Sequence, residues 1–174
     1  MFIQLALQVR AKCALGIVCI VLAQMLSCTC GGESPTTQGE AVIDATTHGA
    51  VGNGTTLNTL RIQAAIDSLS RRGGGVLRFP AGRYLTGTIE LKDNVRLRLS
   101  EDATILGSPN PADYPNHDPF TSGSGEHLGY AVVTALAATH IGIEGPGLID
   151  GQGKALKAAQ KEYKVRPFLV RFER

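Results

Sequence analysis

Two stretches of the chain echo one another: "ELKDNVRLRLSEDATILGS", residues 90–108, and "ALAATHIGIEGPGLIDGQG", residues 135–153. Each carries an apolar strand, a polar corner, a strand of alternating residues, a second corner and a strand ending in glycine. Val95 and Leu97 correspond to Ile141 and Ile143, 46 residues further on. A strand unit recurring at a fixed interval cannot bury its apolar face alone and must stack on its neighbour. The offset predicts two turns of a coil with a little over 20 residues per turn. The fold class expected is therefore all-β, a parallel β-helix. A β-sandwich is the alternative, but it wants hairpin turns such as Asn-Gly between its strands. The strands after Gly75 lack those turns.

The local patterns agree with a coil that starts behind a helix. Val42 to Asp44 reads as a first short strand. In "LNTLRIQAAIDSLSRR", Ile62, Ala65, Ile66 and Leu69 form one apolar face at helical spacing. The spacing predicts a helix over 57–72, with Asn58 or Thr59 at its start and Arg71 and Arg72 in its last turn, where cations favour the dipole. Gly73 to Gly75 follow the helix and precede the strand "VLRF". A phosphate-cradling loop has the reverse order, with its glycines leading into a helix N-terminus. These glycines are expected to turn the chain out of the helix, and Pro80-Ala81-Gly82 to make a corner. Val95, Leu97 and Leu99 alternate with Arg96, Arg98 and Ser100, which predicts a half-buried strand. The stretch 108–127 is irregular and holds four of the eight prolines. A loop this long in a compact domain is often functional.

The first segment has a different character. Arg10 and Lys12 precede the uncharged run "CALGIVCIVLAQMLSC". A basic patch before an apolar run of about a dozen residues has the form of a secretory signal. It is shorter than the roughly 20 residues of a membrane span. A buried core helix is the alternative. The run ends at "MLSC", which is similar to a lipoprotein cleavage box with Cys28 as the lipidated residue; an ordinary secretory signal cleaved nearby is the alternative. The expected organisation is a leader at 1–28, a flexible tether at 29–40 and a folded domain at 41–174. The protein is expected to be exported: periplasmic, lipid-anchored at Cys28, or extracellular. All four cysteines (13, 19, 28 and 30) lie in or beside the leader, so the body is expected to hold its fold without disulfides. Without Arg10 and Lys12 the chain carries 15 basic and 15 acidic residues. That balance gives no global field favouring nucleic acid or a membrane surface.

In the order helix, triple glycine, Pro-Ala-Gly, Leu91-Lys92-Asp93-Asn94-Val95 and Ile149-Asp150-Gly151-Gln152-Gly153, the chain resembles the opening coils of the polygalacturonase family, glycoside hydrolase family 28. This family lies within the pectate-lyase-like superfamily. The resemblance covers roughly residues 41 to 172. It implies a right-handed parallel β-helix whose first end is covered by the helix, and an acidic plant polysaccharide, pectin, as the partner. It also implies inverting hydrolysis by carboxylates about 6.5 to 9.5 Å apart, with room for a water between them. A polysaccharide lyase, a uronan epimerase and a non-catalytic glycan-binding β-helix are the alternatives on the same scaffold.

The family's catalytic signatures are Asn-x-Asp, Asp-Asp, His-Gly and Arg-x-Lys, in that order, after Ile-Asp-Gly-x-Gly. None of them follows Gly153. Asn116-His117-Asp118, His48-Gly49 and Arg10-Ala11-Lys12 stand in the wrong order and context, as short motifs do by chance. Glu101-Asp102 is the nearest approach to Asp-Asp and sits at a corner. No catalytic residue is therefore assigned, and the chain is expected to be the front part of a longer protein, poorly soluble and inactive when expressed alone. No cofactor or metal is expected, since His48, His117, His127 and His140 lack zinc-ligand spacing. Asp150 is a candidate ligand, although an aspartate before Gly more often makes a side-chain-to-backbone turn. His117, Asp118, Glu126 and His127 are candidates to line a groove, with a solvated loop as the alternative. Arg96 and Arg98 share a strand face that would suit a polyanion or simply solvent.

Overall fold

A computed structural model describes residues 40–117 and 119–173. The expected leader, the tether up to residue 39, Cys28 and Asp118 lie outside the described residues. The described elements are β1 (Val42–Asp44), α1 (Thr59–Arg71), β2 (Gly75–Phe79), β3 (Gly82–Thr86), β4 (Ile89–Glu90), β5 (Val95–Leu99) and β6 (Ala103–Gly107). There follow β7 (Phe120–Thr121), β8 (His127–Leu128), β9 (Ala131–Leu136), β10 (Gly142–Glu144), β11 (Leu148–Asp150), α2 (Gly153–Ala158) and β12 (Phe168–Glu173).

Three sheets of parallel strands carry the molecule. Sheet A has the order β1-β2-β5-β10, sheet B β11-β6-β3 and sheet C β12-β9-β4. The chain visits A, B and C in turn three times, as β2-β3-β4, then β5-β6-β9, then β10-β11-β12. Only β7 and β8 pair antiparallel among the described strands, as a small hairpin within the long loop.

The register corrects the expected period. Leu77 lies beside Leu97, so the first pass takes 20 residues. Leu97 in turn lies directly beside Ile143, so the 46-residue echo spans one pass rather than two. The cause is the insertion between β6 and β9, residues 108–130. It leaves the corner after sheet B and re-enters at sheet C, where Ile89 pairs with Val133. The repeat in sequence was a true spatial repeat, but its length was inflated by a loop that adds no strand to the three sheets.

Period-two alternation puts every second side chain inside. Leu77 and Leu97, Tyr84 and Ile105, and Ile89 and Val133 stack as fully buried neighbours from the three sheets. Burying each such side chain stabilises the fold by roughly 1.5–3 kcal/mol. Phe79 meets Tyr84 edge to face at 5.2 Å across the corner between sheets A and B. Helix α1 buries Ile62, Ala65, Ile66 and Leu69 completely, as its spacing predicts, and packs them against β2, β4 and β5.

The residues expected to cap α1 have another task. Asn58 occupies the N-cap position, but its side chain makes no cap bond to the helix. Its Oδ1 accepts the Val51 N–H at 2.8 Å, and its Nδ2 donates to the carbonyls of Val51, Thr56 and Leu85. Thr59 Oγ1 accepts the Gly87 N–H at 2.8 Å. Both side chains thus tie the helix to the preceding loop and to the end of β3. At the other end of α1 the triple glycine has a steric cause. Gly74 has φ +115°, and a Cβ there would lie 2.3 Å from Asn94 Cβ and 2.4 Å from its carbonyl oxygen. Gly74, Asn94 and His140 occupy the same corner in successive passes, all with positive φ.

Candidate functional site

The outward face of sheet A is a row of charges. Asp44, Arg78, Arg98 and Glu144 occupy one register position on β1, β2, β5 and β10. Arg78 donates both Nε and Nη2 to Asp44, at 2.5 and 2.8 Å, and this pairing holds the Asp44 carboxyl below the usual range. Arg98 reaches Glu144 at 2.6 Å. Arg96 pairs with Glu40 above a shallow cavity of about 470 Å³ lined also by Arg72, Gly74, Asn94 and His140. Arg96 and Arg98, expected to face a polyanion or solvent, are therefore each engaged with a carboxylate of the chain itself.

The other named residues resolve one by one. Asp150 Oδ1 accepts the Gln152 N–H at 2.9 Å, the side-chain turn that its position suggested. Gln152 then takes a left-handed conformation and its amide donates to the Gly107 carbonyl at 2.6 Å, fastening the corner after β11 to the end of β6. The Ile149–Gly153 signature is thus a corner lock. Asp93 accepts both the backbone N–H and the hydroxyl of Thr139, at 2.7 and 3.0 Å, which holds its carboxyl below the usual range. A general acid needs the opposite shift, so neither Asp44 nor Asp93 suits that role. His117 is exposed in the long loop and Glu126 pairs with Arg166; Asp118 and the side chain of His127 lie outside what the structure describes. Among the described residues no group of three His, Cys, Asp or Glu is placed to hold a metal ion.

Sheet C has the more enclosed outward face. Glu90, Thr134 and Arg171 form a row across β4, β9 and β12, opposite to the inward Ile89 and Val133. Arg171 is 9 % exposed; it pairs with Glu173, donates to the Gly129 carbonyl at 3.0 Å and lies 5.0 Å from the Phe120 ring centroid. The long loop thus folds over one end of this face. Inside that loop the Tyr114 hydroxyl donates to the Ser108 carbonyl at 2.7 Å, and burial pushes its pKa well up. The segment after α2 borders the same face, because Arg166 joins it to Glu126 near the hairpin. Sequence reasoning passed over Arg171, Tyr163 and Lys157 in this region, since they carry no motif.

No family model matches the chain. An exo-poly-α-D-galacturonosidase from Dickeya chrysanthemi is 38% identical over 135 residues, covering 73% of this chain and 22% of that protein. The chain belongs to the polygalacturonase family, glycoside hydrolase family 28. An endo-polygalacturonase from Pectobacterium parmentieri is 33% identical over 101 residues, 55% of this chain and 24% of that family member. The solved family 28 exopolygalacturonase of Yersinia enterocolitica is 34% identical with a TM-score of 0.57, over 64% of this chain and 21% of its own. The chain spans about a quarter of the length of the curated relatives it matches. Asp150 and the triple glycine are, by their contacts, scaffold residues.

Proposed function

We propose that this chain forms the opening coils of a right-handed parallel β-helix in an exported glycoside hydrolase that cleaves polygalacturonan with inversion. The observation that carries the reading is the 38% identity to a galacturonosidase across 73% of the chain. The three-sheet order supports it physically. Neighbouring strands of one sheet are about 4.8 Å apart. Carboxylates on the same face, one or two strands apart, therefore approach the roughly 6.5–9.5 Å that an inverting pair requires. The carboxylates themselves belong in this reading to sequence that the relatives carry outside the matched quarter. Residues 1–28 would direct export, with Cys28 as the lipid-bearing residue.

The test is the complete protein on polygalacturonate. Release of reducing ends, with the new anomer inverted by proton NMR, is the expected outcome. Ultraviolet-absorbing unsaturated ends would overturn hydrolysis in favour of elimination. Residues 1–174 alone are expected to release nothing, and measurable release by them would overturn the placement of the carboxylates. Metabolic labelling with palmitate, lost in Cys28→Ser, checks the anchor.

A further inference from the structure

We infer that the segment between β11 and β12 is a binding strip for an acidic polysaccharide, centred on Tyr163 and the lysine at its ring, Lys157, with Lys154 and Lys161 beside them. The inference rests on the polygalacturonan reading for the identity of the polymer. Residues 153–167 hold four lysines and one arginine against a single acid, Glu162. Residues 71–85 carry the same net charge in the same length, but as arginines spread over a helix end and two strands, with Arg78 paired to Asp44. Glu162 is taken by Lys164 and Arg166 by Glu126. Among the described residues no carboxylate lies within ion-pair distance of Lys154, Lys157 or Lys161, in contrast to the arginines of sheet A.

The strip is built rather than merely charged. Leu156 is buried and anchors α2. Gln160 closes the following turn: its Nε2 donates to the carbonyls of Leu156 and Val165, and its Oε1 accepts the Val165 N–H at 2.9 Å. That closure sets Tyr163 with Lys157 Nζ 6.0 Å from the ring centroid and Arg166 Cζ 5.8 Å from it. A ring at this distance attracts a cation and limits where it roams. Tyr163 is 36% exposed, so part of the ring remains open. An aromatic face beside a positioned lysine with no carboxylate partner among the described residues suits a uronic-acid polymer: the apolar face of a sugar lies on the ring while its carboxylates meet Lys157 and the neighbouring Lys154 and Lys161. The strip borders sheet C, so a chain lying along that face would reach it.

The experiment is affinity electrophoresis of the full chain through gels containing polygalacturonate, with a neutral galactan and a sulfated galactan as separate gels. Circular dichroism confirms that each variant is folded. Polygalacturonate is expected to retard the wild type, and the neutral polymer not to. Retention should fall steeply between 0.1 and 1 M salt, as the screening length shrinks from about 10 to about 3 Å. Lys157→Gln should weaken retention about two- to fivefold and Tyr163→Ala by more, while Tyr163→Phe keeps the ring and the binding. Retention unchanged in both Lys157→Gln and Tyr163→Ala overturns the strip and leaves the polygalacturonase reading intact. No retention on any polymer also overturns it. Tyr163-dependent retention on the sulfated galactan with none on polygalacturonate upholds the strip as a polyanion site and overturns the substrate reading.

Discussion

Replacing Gly74 with alanine separates two reasons why a corner needs glycine. The residue follows α1 and begins the first pass into sheet A, at φ +115°. An L-residue forced into a sparsely populated backbone region costs on the order of 1–3 kcal/mol. The added Cβ would also lie 2.3 Å from Asn94 Cβ and 2.4 Å from Asn94 O, contacts that require the two corners to move apart. Asn94 is held on both sides, by Thr139 O to its N–H and by Gly75 N–H to its carbonyl, so it does not yield freely. Overpacking of this kind costs typically about 1–3 kcal/mol more. The sum is about 2–6 kcal/mol, comparable to the whole stability of many domains. Gly73→Ala supplies the control: φ is +95°, but no atom lies within 4 Å of the added Cβ, so only the backbone cost applies. Urea unfolding followed by far-ultraviolet circular dichroism measures both variants. Gly74→Ala should lower the midpoint at least twice as far as Gly73→Ala. Equal shifts would refute the steric argument and leave backbone conformation as the sole reason for the glycines.

Two further outcomes follow from the hydrogen-bonded corners. Asn58→Ala leaves the Val51 N–H and the Leu85 carbonyl without this partner beside a fully buried site, and should cost about 2–4 kcal/mol by the same urea assay. A loss below 1 kcal/mol would show that the loop 51–57 re-forms its bonds without Asn58. Asp93 has a folded pKa below its ordinary 3.8 because Thr139 donates twice to it. Its contribution to stability is therefore complete above the unfolded pKa and is lost as pH falls through the folded one. In Thr139→Val the Asp93 carboxyl should titrate higher by NMR than in the wild type, and the acid side of the stability profile should flatten below about pH 4. An unchanged Asp93 titration would contradict the role given to the Thr139 hydroxyl.

What could be read directly from the sequence was whatever repeats with the period of its own element. Ile62, Ala65, Ile66 and Leu69 announced the buried face of α1, and Val95, Leu97 and Leu99 the inward face of β5. The pass length could not be read, because residues 108–130 enter between two strands that stay in register around them, and a sequence offset counts loop and coil alike. The candidate site was legible only as far as local chemistry reaches. Asp150 makes the turn its own neighbours dictate. Tyr163, Lys157 and Arg166 meet through the turn that Gln160 closes, and no short motif encodes that meeting; the density of lysines from 154 to 164 was the one available signal. The charge row on sheet A shows how far one correct register would have carried the reading. Asp44, Arg78, Arg98 and Glu144 are separated by 34, 20 and 46 residues, and nothing local links them. Once Leu77, Leu97 and Ile143 are placed side by side, the next residue on each of those strands is Arg78, Arg98 or Glu144, and the Arg98–Glu144 ion pair follows without further information. Where parallel strands stack in register, one apolar column fixes the charge pairing of its neighbour, so an error in pass length hides paired arginines as free ones.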